Sequence, residues 1–163
     1  MTTKRTVTAE RGTQSIAFSR EFEATAARVF EAHTDADLVA QWTGPPGTTV
    51  TMREFDARTG GSWSYIVVGS ERQWAFHGSF HEVAAPTRIV QTWEFDDEPG
   101  HPTIEVFTFV DLPDGRSRID GLTVFLSVED RDANLLGGFD GGRDDDFARL
   151  DEILAAVPDP TLS

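Results

Sequence analysis

Few side chains in this sequence combine a reactive type with a spacing that would let them act together. His77 and His81 are four residues apart in an alternating segment, and a strand with a rise of roughly 3.3 Å per residue separates them by about 13 Å. One metal ion cannot contact both at that distance. Asp144-Asp145-Asp146 are consecutive, and successive helix residues diverge by roughly 100°, so we expect a solvated turn. No metal site is predicted.

Four titratable side chains of three chemical types are candidates for polar groups inside the fold. His33 lies on the apolar side of a predicted helix, where a histidine hydrogen-bonded within the core is the favoured interpretation and a general base is the alternative. Glu105 shares a strand face with apolar residues and, with Glu54, is a candidate internal carboxylate. Tyr65 is the third group able to carry a proton. The sequence places no partner beside any of them, so no catalytic residue is assigned.

Arg143 interrupts an apolar helical pattern. An unpaired charge there would cost on the order of several kcal/mol, so we hypothesise that Arg143 meets an internal carboxylate or an acidic or carbonyl group of a ligand. The alternative is that Gly137-Gly138 and Gly141-Gly142 break the helix and turn Arg143 towards solvent. The pattern consists of residues three or four positions apart: Leu136, Phe139, Arg143, Phe147, Leu150 and Leu154.

The composition excludes several functional classes. A chain of 163 residues suits one domain, and its formal charge of −14, without a basic patch, argues against nucleic acid and membrane surfaces as partners. Lys4 is the single lysine, so the folded part has none for Schiff-base chemistry or a Walker-type phosphate loop. The sequence lacks cysteine, an apolar leader and any apolar run of membrane length. We therefore expect a cytoplasmic protein without disulfides or cofactors.

The elements that must position these side chains are a first strand, two short helices, a series of strands and a C-terminal helix. Residues 15–23 alternate as a strand does, and Thr34 or Asp35 can cap the second helix. Short hairpin links predict an antiparallel meander, and Ser127 with Asp130 resembles a capping box before a helix of two or three segments that runs to Ala156. The later strands are predicted at about 48–56, 61–68, 72–83, 87–95, 103–111 and 116–126.

One domain is expected over residues 15–157, with a disordered tail over 1–14 and a C-terminal tail over 158–163. Large rings recur on single strand faces within it, and two outcomes stay open: a dry core, or a cavity between sheet and helix. The opposite face carries an apolar set that favours pairing with a second copy of the chain. The rings are Trp63, Tyr65, Trp74, Phe76, Phe80, Trp93, Phe95, Phe107 and Phe109, and the opposite set is Val68, Val83, Val90 and Val110.

A set of short motifs along the chain carries a family resemblance. Their order and spacing resemble the START-like (SRPBCC) superfamily and, within it, bacterial-type single-domain relatives of the activators of heat-shock protein 90 ATPase. The resemblance covers Ser15 to about Ala155. The matching positions include Val29-Phe30, Thr34-Asp35, Trp42, Gly44-Pro45, Gly60-Gly61 with Trp63, Gly78, Thr92-Trp93 and Asp114-Gly115-Arg116.

The resemblance implies an α+β helix-grip fold. A curved antiparallel sheet of six to seven strands would wrap around a long C-terminal helix, with two short helices after the first strand. It also implies an apolar cavity between sheet and helix, which favours binding of a small, mostly apolar or aromatic ligand. The expected ligand-binding residues are Trp42, Trp63, Tyr65, Phe76, Trp93, Phe107, Phe139 and Arg143, with His33 and Glu105 as polar cavity residues.

Two alternatives follow from the same resemblance. Some START-like relatives are cavity enzymes or sacrificial resistance proteins, which would require an acid or base inside. A co-chaperone that stimulates the heat-shock ATPase is the other alternative, although the chain matches only the START-like half of such activators.

Overall fold

A computed structural model describes residues 5–137 and 142–156, which fold into one antiparallel sheet and four α-helices. The order of strands across the curved sheet is β1-β2-β8-β7-β6-β5-β4-β3. The strands are β1 (Thr6–Thr8), β2 (Ser15–Phe22), β3 (Thr49–Phe55), β4 (Ser62–Val68), β5 (Gln73–Ala84), β6 (Arg88–Phe95), β7 (Thr103–Asp111) and β8 (Ser117–Val124). The helices are α1 (Ala26–Thr34), α2 (Ala36–Trp42), α3 (Val128–Gly137) and α4 (Gly142–Ala156).

The predicted α+β helix-grip fold is confirmed, but the sheet has eight strands instead of six to seven. The additional strand, β1, lies in the segment predicted to be a disordered tail. Its three residues pair with β2, with Val7 opposite Phe18. Two β-branched threonines around a valine suit an edge strand, and this local preference is hidden among the polar residues of the first fourteen. The proposed domain limits of 15–157 and the tail at 158–163 stay predictions.

The two short helices form a capped pair that connects β2 to β3. The Thr25 hydroxyl accepts a hydrogen bond from the Arg28 amide at 3.4 Å, and Asp35 caps α2 through the amides of Asp37 and Leu38. The Trp42 indole N–H donates to the Ala32 carbonyl at 2.9 Å, which fixes α2 against α1. This bond explains why an aromatic residue ends the second helix.

The C-terminal part of α4 closes the core. Phe147, Leu150 and Leu154 are buried, and the Phe147 ring packs edge-on against Phe22 at 5.3 Å between centroids. The predicted apolar stripe is wrong at Leu136, which is 91% exposed. Its helix, α3, ends at Gly137, so the register of α4 does not extend back to it.

The prediction that Val83 lies on the outer face of the sheet is wrong, because β5 contains a bulge. The pairing with β6 shifts between Phe80 and Glu82, and Val83 then lies opposite Ile89, which is buried. Val83 therefore packs against the core instead of the outer face. Pairing of two copies through that face stays a prediction. Among the described helices, none is long and apolar enough to cross a membrane.

Candidate functional site

A cavity of about 430 Å³ lies between the sheet, α2 and the N-terminal part of α4. Nine of the ten residues expected to line it do so, and the tenth, Phe139, lies outside the described residues. Whether they bind a ligand stays a prediction. The nine are His33, Trp42, Trp63, Tyr65, Phe76, Trp93, Glu105, Phe107 and Arg143.

A continuous wall of stacked rings forms one side of the cavity across β4, β5 and β6. Trp63 stacks on Tyr65 at 5.2 Å between centroids, Tyr65 lies 5.7 Å from Phe76, and Phe76 stacks on Trp93 at 5.2 Å. Gly78, opposite Trp63 in the register, makes room for the indole, because a Cβ there would lie 2.6 Å from the indole nitrogen. The wall presents ring faces and edges to any occupant.

The polar part of the cavity centres on an ion pair between α4 and β7. Arg143 donates from Nη2 to Glu105 Oε2 at 2.9 Å, and Gln91 donates from Nε2 to Glu105 Oε1 at 3.1 Å. The guanidinium also lies over the rings of Phe18 and Phe107, at 4.9 and 5.5 Å from their centroids. Arg143 thus meets an internal carboxylate, and the alternative that it turns towards solvent is wrong. The glycines do separate two helices, since α3 ends at Gly137 and α4 begins at Gly142. Arg143 nevertheless lies within α4 and lines the cavity.

The other candidate internal carboxylate, Glu54, is exposed on β3. Its Oε1 accepts a hydrogen bond from the Ser62 hydroxyl at 2.6 Å. A bulge between Met52 and Glu54 shifts the pairing of β3 with β4 at this point. Glu105 is therefore the internal carboxylate of the two.

Asp146 lines the cavity, so the prediction that Asp144-Asp145-Asp146 form a solvated turn is wrong at this residue. Arg149 donates to Asp146 Oδ1 at 2.8 Å and also to the Gly44 carbonyl, so the pair joins α4 to the turn after α2. Burial raises the pKa of Asp146 to about 6, against the opposing effect of Arg149 and Arg143. The signal that could have found it is spacing, because residues 143, 146 and 149 follow at intervals of three on one helix face.

His33 and Tyr65 both face the cavity in their neutral forms. His33 Nδ1 lies 2.7 Å from the Val29 carbonyl oxygen, and burial lowers its pKa to about 4. Burial raises the pKa of Tyr65 well above its ordinary value, and the nearby charges of Asp146 and Glu105 act in the same direction. His33 is thus hydrogen-bonded within the core, as the favoured interpretation expected.

The two strand histidines lie away from the cavity. His77 contacts Asp96 at 2.6 Å through Nδ1 and Glu94 at 3.1 Å through Nε2, and its hydrogen bond to Asp96 is the largest cause of a raised pKa. His81 is exposed. No three metal-ligating side chains come together among residues 5–137 and 142–156.

Most of the chain matches one protein-family model. A family model described as "Activator of Hsp90 ATPase homolog 1-like protein" matches residues 23–155. Among proteins with a curated description, none matches.

Several solved structures share this fold. A protein from Rhodobacter sphaeroides has 22% identity and a TM-score of 0.86 over 94% of this chain and 100% of its own. A protein from Mycobacterium smegmatis has 24% identity and a TM-score of 0.83 over 94% of this chain and 98% of its own. An AHSA1-like protein from Aeromonas hydrophila has 22% identity and a TM-score of 0.65 over 84% of this chain and 93% of its own. At these identities the likeness establishes the fold alone.

Proposed function

This chain belongs to the family of activator of Hsp90 ATPase homolog 1-like proteins, in the START-like superfamily, and on that premise we propose that its cavity binds a small, mostly apolar ligand with aromatic rings. The observation that carries the proposal is the stacked wall of rings beside about 430 Å³ of unfilled space. Sites for small molecules are concave, mainly apolar and supplied with a few polar groups, and their volumes begin at about 300 Å³.

The surrounding charges support the same kind of ligand. Inside the cavity wall, Glu105 is balanced by Arg143 and Asp146 by Arg149. A neutral apolar molecule therefore enters without disturbing a charge balance. Outside, the net charge of −14 disfavours nucleic acid and anionic membrane surfaces as partners.

Thermal unfolding in the presence of a library of ring-containing metabolites tests the proposal. A ligand at 100 times its dissociation constant adds about 2.7 kcal/mol to the free energy of unfolding. For a domain of this size that is a midpoint rise on the order of 5 to 10 °C. A flat response across the library would contradict the proposal.

Two neighbouring substitutions locate the effect. Thr123 lines the cavity, whereas Leu122 is 38% exposed on the opposite face of the same strand. Thr123→Phe fills part of the cavity and should abolish the rise produced by a hit. Leu122→Phe adds a ring outside it and should leave the rise unchanged. Equal responses of both variants would place the ligand elsewhere.

A second candidate function is proton transfer inside the same cavity, and Asp146 favours it because it lines the cavity and burial raises its pKa to about 6. A carboxylate with that pKa is a stronger base than an ordinary aspartate and is ionised at pH 7. When a base removes the C3–H proton of the probe 5-nitrobenzisoxazole, the C–H electrons form a nitrile and the N–O bond breaks, leaving its electrons on the oxygen as a phenolate. Catalysis that rises around pH 6 and disappears in Asp146→Asn would support this function. A rate equal to that of buffer would exclude it.

A further inference from the structure

In the described lining of the cavity, the carboxylate oxygens of Glu105 already accept hydrogen bonds, whereas N–H donors remain without a partner. Both Glu105 oxygens accept a hydrogen bond, one from Gln91 and one from Arg143. A guanidinium has five N–H donors. In the described part of the chain, Glu105 takes one of them, and Arg143 Nε is buried without a partner. About a quarter of the Arg143 side chain stays exposed, and the residue lines the cavity.

The position of these remaining donors is held by packing. The Phe18 and Phe107 rings lie 4.9 and 5.5 Å from the guanidinium carbon, and the ion pair with Glu105 fixes one end of the fork. Rings on one side and a carboxylate on the other restrict the rotamers of Arg143. A ligand that reaches it therefore meets preorganised N–H groups instead of a free side chain.

The charge balance selects among oxygen acceptors. Arg143 is already neutralised by Glu105, and the carboxylate of Asp146 faces the same cavity. Among the described residues that line the cavity, Arg143 is the one cationic side chain, so an anionic ligand would add a negative charge that no further cation in that lining balances, and burying such a charge is costly. A carbonyl oxygen accepts the same hydrogen bonds without that cost.

We propose that the ligand presents an uncharged carbonyl oxygen to Arg143 while its rings lie against the aromatic wall, so that the ligand class is a neutral aromatic ketone or a related ring carbonyl compound. This inference rests on the proposed binding function and adds the polar group by which the site selects. Glu105 acts as the selectivity residue, because it keeps Arg143 from attracting anions.

Three probes with one ring skeleton test it: fluorene, 9-fluorenone and fluorene-9-carboxylate, titrated calorimetrically at pH 7.5. The protein should bind 9-fluorenone about tenfold more tightly than fluorene, as expected for one hydrogen bond to a charged donor. It should bind the carboxylate more weakly than the ketone. Fluorene binding as tightly as 9-fluorenone, or the carboxylate binding most tightly of the three, would overturn the inference and leave the binding function standing. If none of the three binds, the proposed function fails, and the inference fails with it.

Two variants separate the roles of the ion pair. Glu105→Gln leaves the Arg143 charge unbalanced and should make fluorene-9-carboxylate the tightest of the three probes. The double variant Arg143→Met with Glu105→Gln removes both charges without leaving a buried carboxylate alone, and it should bind 9-fluorenone and fluorene equally. A double variant that keeps the tenfold preference for the ketone would assign the recognition to another group. Circular dichroism spectra that match the unsubstituted protein are the control for folding.

Discussion

The two ends of helix α4 meet the same aromatic sheet in opposite ways. At the closed end, the Phe147 ring packs against the rings of Phe18 and Phe22, at 5.8 and 5.3 Å between centroids, and Leu150 is fully buried. At the open end, the helix places Arg143 and Asp146 in the lining of a cavity that the rings of β4, β5 and β6 also line. The aromatic content of a sheet therefore does not decide whether its concave face is filled. What the facing helix presents decides it.

The ionic contacts of α4 follow the same division. Arg20 and Asp151 form a two-pronged ion pair at the closed end, with both N–O distances 2.6 Å. The guanidinium of Arg20 also lies 4.5 Å from the Phe22 ring centroid and donates a further hydrogen bond to the Glu21 carbonyl. Among the described residues, Arg143 at the open end makes one hydrogen bond, to Glu105, and its Nε is buried without a partner. The closed end thus uses its guanidinium in internal contacts, whereas the guanidinium at the open end keeps donors without a partner in the described part of the chain.

The largest predicted difference between the two ends concerns ring removal. Phe147→Ala should lower the free energy of unfolding by about 3 to 5 kcal/mol, because it removes a fully buried ring and leaves a new cavity. Phe76→Ala, at the half-buried wall of the existing cavity, should cost less than half as much, since no new cavity forms there. Urea denaturation of both variants measures the two values. Equal costs would mean that the open end is packed as tightly as the closed end.

The second prediction concerns His33, which lies among the rings between the two ends. Its pKa is about 4 in the folded protein against 6.5 ordinarily, so the unfolded chain binds more protons between these values. Stability is therefore lost as the pH falls from 6.5 towards 4, by about 2 to 3 kcal/mol. His33→Gln cannot protonate and should lose less stability than the unsubstituted protein between pH 7 and pH 4.5. Parallel losses in urea titrations at the two pH values would show that His33 is not kept neutral.

Asp146 at the open end should show the opposite sign and a smaller effect. Its pKa of about 6 lies above the ordinary 3.8, so the folded protein binds more protons between these values, and stability falls as the pH rises from 4 to 6. Relative to the unsubstituted protein, Asp146→Asn should gain about 1 to 3 kcal/mol between pH 4 and pH 7. Comparing the two pH values cancels the constant cost of the weakened contact with Arg149. A difference that does not change with pH would place Asp146 in water.

Most of the open end could be predicted from residue spacing. Alternation placed Trp63 and Tyr65 on one strand face, and Glu105 and Phe107 on another, and the structure turns both faces towards the cavity. The apolar pattern around Arg143 likewise predicted an oxygen partner for an inward cation, but it left open whether that partner is a carboxylate of the protein or a ligand group, and whether the glycines turn Arg143 towards solvent; the structure shows Glu105 as the partner. These predictions depend on the repeat of two residues in strands and of three to four residues in helices, and the folded protein keeps both repeats at these positions.

The remaining features depend on interactions that spacing does not describe. The β5 bulge moves Val83 to the core, because one extra residue reverses the alternation after Phe80. The position of Asp146 does not follow from the sequence, because three adjacent carboxylates look like solvated polar sequence, whereas Arg149 and the turn at Gly44 give one of them a partly buried place. Leu136 was misplaced because periodicity was extended across a helix boundary.

The most direct test of the central claim, that the open end binds a small ring-containing molecule, is to locate a bound probe by NMR. With methyl-labelled protein and fluorene, intermolecular NOEs are expected to Ile16, Val39 and Val67, whose side chains line the cavity. NOEs to Leu122 and Ile104, which are exposed on the opposite face, would contradict the account, as would saturable binding without NOEs to any cavity methyl group.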